Sequence, residues 1–154
     1  MDDPRWLDET EMAAWRGFVT ATNLVARHLE RQLKEDAGLS HTQYEILVQL
    51  SAAPGGSLRM TDLADRLVTS KSGLTYQVTQ LEKAGLVARR SCPSDVRGVF
   101  AEITDQGWSV LRAAAPGHVA AVREALVDVL APAQLAALAE SLGAVSDRLR
   151  AADS

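Results

Sequence analysis

The chain has 154 residues, 47% of them apolar and 23% charged, with five prolines, one cysteine and a formal net charge of −4. That length suffices for one domain with a real hydrophobic core, and the lack of any uncharged apolar run of about 18 residues excludes a transmembrane helix. A single cysteine excludes an internal disulfide framework and fits a reducing, cytoplasmic setting, as does an acidic N-terminus, MDDPRWLDET, without the apolar stretch of an export signal.

From Asp8 to about Asp36 the pattern is helical. Met12, Trp15, Phe18 or Val19, Thr22, Val25 or Ala26, Leu29 and Leu33 line one broad face. Trp6 and Leu7 precede it and are placed to pack on something outside this helix, and Gly38 is suited to cap its end. Ser40 then reads as the N-cap of a helix over 41–52 with Tyr44, Leu47, Val48 and Leu50 turned inward. Pro54, Gly55 and Gly56 form a loop, and Leu58 to Met60 could add a short strand. Met60, Leu63, Ala64, Leu67 and Val68 recur at helical spacing, with Thr61 as N-cap and Asp62 in the first turn. Ser70 caps the next helix, which places Leu74, Val78 and Leu81 on one side and which Gly85 ends.

Leu86 to Arg90 and Val99 to Ile103 are short extended runs around SCPSDVRG, a hairpin loop with Pro and Gly. Thr104 then caps a long helix whose stripe is Trp108, Leu111, Ala115, Val119 or Val122, Leu126 and Leu130; Pro116 is expected to kink or interrupt it. Pro132 starts the last helix, where Leu135, Leu138, Leu142, Val145 and Leu149 repeat at alternating three- and four-residue spacing. So regular a seam is unsuited to a solvent-bathed terminal helix. It predicts a two-fold homodimer in which the first and last helices of both chains interlock, with Trp6 and Leu7 contributing.

The outer face of the 70–83 helix collects Ser72, Thr75, Tyr76, Thr79, Gln80 and Lys83. Hydroxyls, an amide, a phenol and an ammonium make poor core and good groove-reading chemistry. Charge is distributed to match. Residues 59–97 hold seven Lys/Arg and four Asp/Glu, a local +3, against −7 for the remainder. A basic patch on an acidic body presents one surface to a polyanion. Lys71 opposes the dipole of its own helix and is better placed for a phosphate than for a base. Arg89 and Arg90 alternate faces along their strand, so at most one points to the nucleic-acid side.

Helix, turn, helix, hairpin is the winged helix-turn-helix. The segments LADRL at 63–67, LTYQVTQLEKAGLV at 74–87, DVR at 95–97 and IT..G at 103–107 resemble the multiple-antibiotic-resistance regulator (MarR) family of bacterial transcription factors. The resemblance implies a mainly α fold: one domain over 1–154, with a winged core at 40–104 and helices at 6–37 and 118–150 forming a dimerisation apex. It implies a cytoplasmic, sequence-specific repressor of double-stranded DNA, released from a palindromic operator by a small aromatic or anionic ligand. Ser70, Lys71, Ser72, Thr75, Tyr76, Thr79, Gln80, Lys83, Arg89, Arg90, Asp95 and Arg97 are its candidate DNA contacts. Ser72, Thr75 and Tyr76 fall nearest the bases, and Asp95 braces a loop from which Arg97 reaches the minor groove or its phosphates. The family often carries arginine where Tyr76 and Gln80 stand here, which shifts readout toward thymine methyls, adenine edges and shape. The ligand's expected position, between dimerisation helices and DNA-binding lobe, implicates Trp15, Arg16, Phe18, Thr22, His41, Tyr44, Trp108 and Leu111.

Other chemistry finds less support. His28, His41 and His118 form no ligand set by spacing, and no HExxH or CxxC is present, so neither metal nor cofactor is expected. Cys92, in the wing beside Pro93, is expected to be an incidental surface thiol. No nucleophile elbow or phosphate loop marks an enzyme. The competing reading is a winged-helix protein-interaction module that does not bind DNA.

Overall fold

In the computed structural model, residues 3–92 and 94–154 are described; for Cys92, Asp95, Val96 and Arg97 this extends to the backbone alone. The Cys92 thiol and the Asp95–Arg97 wing pair therefore lie outside the described residues. The described residues form six α-helices, α1 (Glu9–Ala37), α2 (His41–Ala52), α3 (Met60–Leu67), α4 (Lys71–Lys83), α5 (Asp105–Ala125) and α6 (Pro132–Ala152), and a small sheet of β1 (Ser57–Arg59), β2 (Val87–Cys92) and β3 (Asp95–Ile103). The sheet is antiparallel with order β1-β3-β2, pairing Leu58 with Ala101 and Arg89 with Ala101 on the other side.

Side-chain caps start most of the helices. Asp8 and Glu11 form a reciprocal capping box on α1, and Ser40 and Gln43 form another on α2. Glu30 of α1 accepts a 2.7 Å hydrogen bond from the His41 amide, which latches α1 to the start of α2. Ser70 accepts from Gly73 at α4, and Thr104 accepts from Gly107 at α5. Gly38 and Gly85 stop α1 and α4 at positive φ; at Gly85 the Leu86 amide reaches back to the Leu81 carbonyl, closing a Schellman turn.

The core lies inside the winged lobe. Leu33, Ile46, Leu47, Leu50, Leu63, Leu74, Val78, Leu81 and Val87 have almost no solvent contact, and α5 adds Leu111 and Ala114. Close packing at the α5 start depends on Gly107: a Cβ there would collide with the Leu86 carbonyl.

Several expectations need correction. Thr61 does not cap α3; the helix starts two residues earlier than that cap implies, with Arg59 at the cap position and no side-chain capping bond from it. Val68 leaves the apolar face of α3, is exposed, and ends the helix in the left-handed region at φ 52°. The Ala64 and Asp65 carbonyls accept its amide there, and the turn needs that conformation to redirect the chain into α4. On α2, Ile46 is buried and Val48 only partly so. The hairpin strands extend well into the stretch expected as loop. Pro116 neither breaks nor ends α5, which runs unbroken through it. α5 also turns Ala114 and His118 inward, leaving Ala115 half-buried and Val119 exposed.

Candidate nucleic-acid interface

α4 is held from beneath and from both ends. Leu74, Val78 and Leu81 anchor it in the core, Ser70 caps it, and the Schellman turn at Gly85 fixes its exit. Lys71, Ser72, Thr75, Tyr76 and Lys83 are exposed on the other side, with Thr79 and Gln80 half-buried. Tyr76 is 62% exposed, a large ring held out to solvent by an otherwise well-packed helix. The Thr75 hydroxyl donates to the Lys71 carbonyl, so its methyl and an oxygen lone pair are what it offers outward. Ser70 Oγ and Ser72 Oγ lie 3.4 Å apart at the helix entrance.

The two hairpin arginines divide as the alternation of the strand requires. Arg89 turns back onto α4, where its guanidinium donates to Thr79 Oγ1 (3.0 Å) and Glu82 Oε1 (3.1 Å). Its backbone amide also donates to Glu82 Oε2. These bonds favour the ionised form of Glu82 and lower its pKa. Sequence reasoning treats Arg89 as a DNA contact and misses this bracing role. The available signal was Glu82, the only acid on α4, facing a strand arginine across Gly85. Arg90 points to the other face and pairs with Glu102 on β3 at 2.9 Å. At the base of the sheet, the Arg59 guanidinium stacks over Phe100, 5.3 Å from the ring centre.

A capped helix with an exposed polar face, followed by an antiparallel hairpin, is a winged helix-turn-helix. The MarR family model matches residues 39–99. The crystal structure of Sco3205, a MarR family transcriptional regulator from Streptomyces coelicolor in complex with DNA, superposes with a TM-score of 0.92 at 47% identity, covering 97% of this chain and 93% of that one. AbsC, a MarR family transcriptional regulator from the same organism, superposes at 0.91 with 43% identity, covering 96% and 99%. YkoM of Bacillus subtilis, an uncharacterized HTH-type transcriptional regulator, is 30% identical over 76% of this chain and 74% of its own length. The chain belongs to the MarR family of transcriptional regulators.

In this MarR-family chain the expected ligand-lining residues separate into two groups. Trp15, Arg16, Phe18 and Thr22 are exposed on the first half of α1, where Trp15 and Phe18 lie 6.4 Å apart. Tyr44 and Leu111 are buried, and His41 and Trp108 half-buried, where α2 meets α5. The Tyr44 ring packs 4.3 Å from His118, and His41 lies 5.9 Å from the same ring. Burial holds His118 below the usual imidazole range, helped by the neighbouring His41 and opposed by Glu45. Tyr44 is pushed up by burial and then by Glu45. Arg112 stacks over Trp108 at 5.1 Å.

The residues expected at the apex are largely uncovered. Trp6 is 80% exposed and Leu7 48%; Leu142, Val145 and Leu149 are 37%, 52% and 60% exposed, with Leu135 and Leu138 half-buried. α6 packs extensively on no other element of its own chain. Near its end Arg150 donates to the Asp65 carbonyl, beside a groove of about 670 Å³ lined by α3 and α6. No single helix among the described residues is long and apolar enough to cross a membrane.

Proposed function

We propose that this chain is a homodimeric, cytoplasmic repressor that reads a palindromic double-stranded operator through α4 and is released by a small aromatic or anionic ligand. The observation that carries the reading is the outward face of α4. Thr75 and Tyr76, with Ser72, stand free of the core on a helix fixed at both ends, flanked by the cations Lys71 and Lys83. Such a face enters a major groove without repacking; the side chains nearest the helix start meet base edges, and Lys83 and Arg90 meet phosphates. The DNA-bound state of Sco3205, nearly half identical to this chain, supports the same use here.

The exposed leucines and valines of α6, with Trp6 and Leu7, support the dimer, since a single chain leaves them in water. Two copies related by a two-fold axis would set half-site centres about 34 Å apart on one face of the duplex. Single-chain domain boundaries follow: a winged core at 40–104, with helices 6–37 and 118–150 as the apex. The ligand reading is supported by His41 and Tyr44, which both lie against His118 where α2 meets α5, and by the half-buried Trp108 on α5.

Selection from a random duplex pool, followed by footprinting, tests the proposal: two protected half-sites with two-fold symmetry are expected. Protection of one half-site at saturation contradicts the dimeric reading. Binding that does not weaken as salt rises would favour the interaction module, because a phosphate-contacting protein releases counterions. The wing is tested separately by Arg97→Ala. Affinity should fall on operator and random DNA together, and the salt slope should shrink by about one unit if a phosphate contact is lost. No change on either duplex removes the wing from the interface.

A further inference from the structure

His41 and His118 are remote in sequence, and the fold brings them together with Glu45. His41 opens α2, Glu45 follows one turn later on the same face, and His118 enters from α5. One ligand-capable atom from each residue, two imidazole nitrogens and a carboxylate oxygen, lies within 4.8 Å of the others. We propose that His41, Glu45 and His118 form a binding site for a divalent transition-metal ion of the zinc type.

The donor set decides the class of ion. Two imidazoles and one carboxylate suit zinc, cobalt or nickel, whereas calcium and magnesium demand mostly oxygen ligands. Three protein ligands leave a fourth position for water in a tetrahedral site. With metal–ligand bonds of about 2.0–2.2 Å, donors sharing an ion sit roughly 3.4 Å apart. The cluster must therefore contract by about 1 Å or somewhat more from its widest spacing. His41 and Glu45 have the freedom for this: their side chains are 37% and 33% exposed, and their present contact is a loose 3.7 Å pair.

His118 is the fixed anchor. It is buried, the Tyr44 ring packs against it, and its Nδ1 lies 3.3 Å from Gln32 Oε1. The amide of Gln32 is itself oriented, because its NH2 donates to Asp36 at 2.8 Å and so turns the oxygen toward His118. Nδ1 then carries the proton and donates, leaving the Nε2 lone pair for a ligand. A carbonyl acceptor behind a histidine is the usual outer support of a metal ligand. Gly117 makes the relay fit: a Cβ there would approach Asp36 Oδ2 to 3.1 Å and Gln32 Nε2 to 3.5 Å. Glu30, bound to the His41 amide, adds another carboxylate near the α2 start.

The test uses the full-length, untagged protein stripped with a chelator and titrated with Co2+, then with Zn2+ by calorimetry. Expected are one ion per chain, the visible d–d absorption of cobalt held by nitrogen ligands, and loss of that absorption on adding Zn2+. His41→Asn and Glu45→Gln, at half-exposed positions, should each weaken Zn2+ binding at least tenfold while leaving circular dichroism unchanged. His118→Gln should abolish the cobalt spectrum, and Gln32→Leu should weaken Zn2+ binding by about 10–100-fold through the outer support alone. If wild type binds Co2+ no better than a folded His41→Asn/Glu45→Gln double variant, the proposal is overturned. His118 is then a core histidine and His41–Glu45 a surface pair of little energetic weight.

Discussion

The winged lobe and α6 carry equally regular apolar patterns and treat them in opposite ways. In the lobe, Ile46, Leu47, Leu50, Leu63, Leu74, Val78 and Leu81 are sealed by neighbouring elements of the same chain. Each such side chain contributes about 1.5–3 kcal/mol by leaving water. α6 has its leucines and valines in as strict a repeat and buries none of them fully. Periodicity tells that a face must be covered; what covers it depends on how the chain returns. Here β1, α3, α4 and the hairpin return onto α2, whereas α6 packs extensively on no other element among the described residues. The lobe therefore closes its own core, and the seam of α6 is only partly covered within the single chain.

The sharpest way to break this contrast is to attack the closure of the lobe itself. Gly107→Ala drives a methyl into the Leu86 carbonyl and should cost about 3 kcal/mol or more, read by urea denaturation. A loss below about 1 kcal/mol means that α5 can slide away from Leu86, and the lobe is looser than its packing implies. The corresponding attack on the apex is Leu138→Glu with Leu142→Glu. Light scattering should then report monomers that keep the circular dichroism of a folded lobe. A double variant that stays dimeric at micromolar concentration removes α6 from the interface.

A smaller effect is expected on the outer face of the lobe. Tyr76→Ala and Thr75→Ala should each cost about 1–3 kcal/mol on operator DNA and much less on scrambled duplex, with folding stability unchanged. Equal losses on both duplexes would demote Tyr76 to a phosphate contact. The smallest effect concerns the turn between α3 and α4. Val68 is a β-branched residue at positive φ, a conformation costing a side chain about 1–2 kcal/mol. Val68→Gly should raise stability by about 0.5–1 kcal/mol after the added freedom of the unfolded chain is subtracted. A decrease in thermal midpoint would show that the strain at Val68 is already relieved by its surroundings.

How much of this was legible in the sequence depends on whether the determining contact is local. Ser40, Ser70 and Thr104 each cap the helix they precede, because a cap needs only residues three positions apart. The recognition helix, its buried stripe and its outward polar face follow from the same short-range geometry. Thr61 does not cap because Met60 already begins α3 and Arg59 holds the cap position, so a good cap residue sits two positions too late. Pro116 does not interrupt α5, because the flanking turns are held by packing against α1 and α2, which outweighs one missing amide bond. The Arg89 brace and the meeting of His41 with His118 are tertiary facts. No spacing rule links residues brought together by a helix–strand return or by two helices crossing. The expected ligand-lining residues rest on the family resemblance, and a resemblance in sequence does not say that Trp15 and Phe18 lie on a part of α1 clear of the lobe core.

The close contact at Gly107 has a mechanical meaning. Thr104 donates to the Gly85 carbonyl and receives Gly107, and its own amide meets Leu86, so the first turn of α5 is pinned to the exit of α4. Beyond that pin α5 runs for 21 residues, about 31 Å at 1.5 Å per residue. It is a lever with its fulcrum beside the recognition helix: a rotation of about 10° there sweeps the distal end through roughly 5 Å. In a two-fold pair, the spacing at which the apex holds the two distal ends would gear directly into the angle at which each α4 meets the duplex.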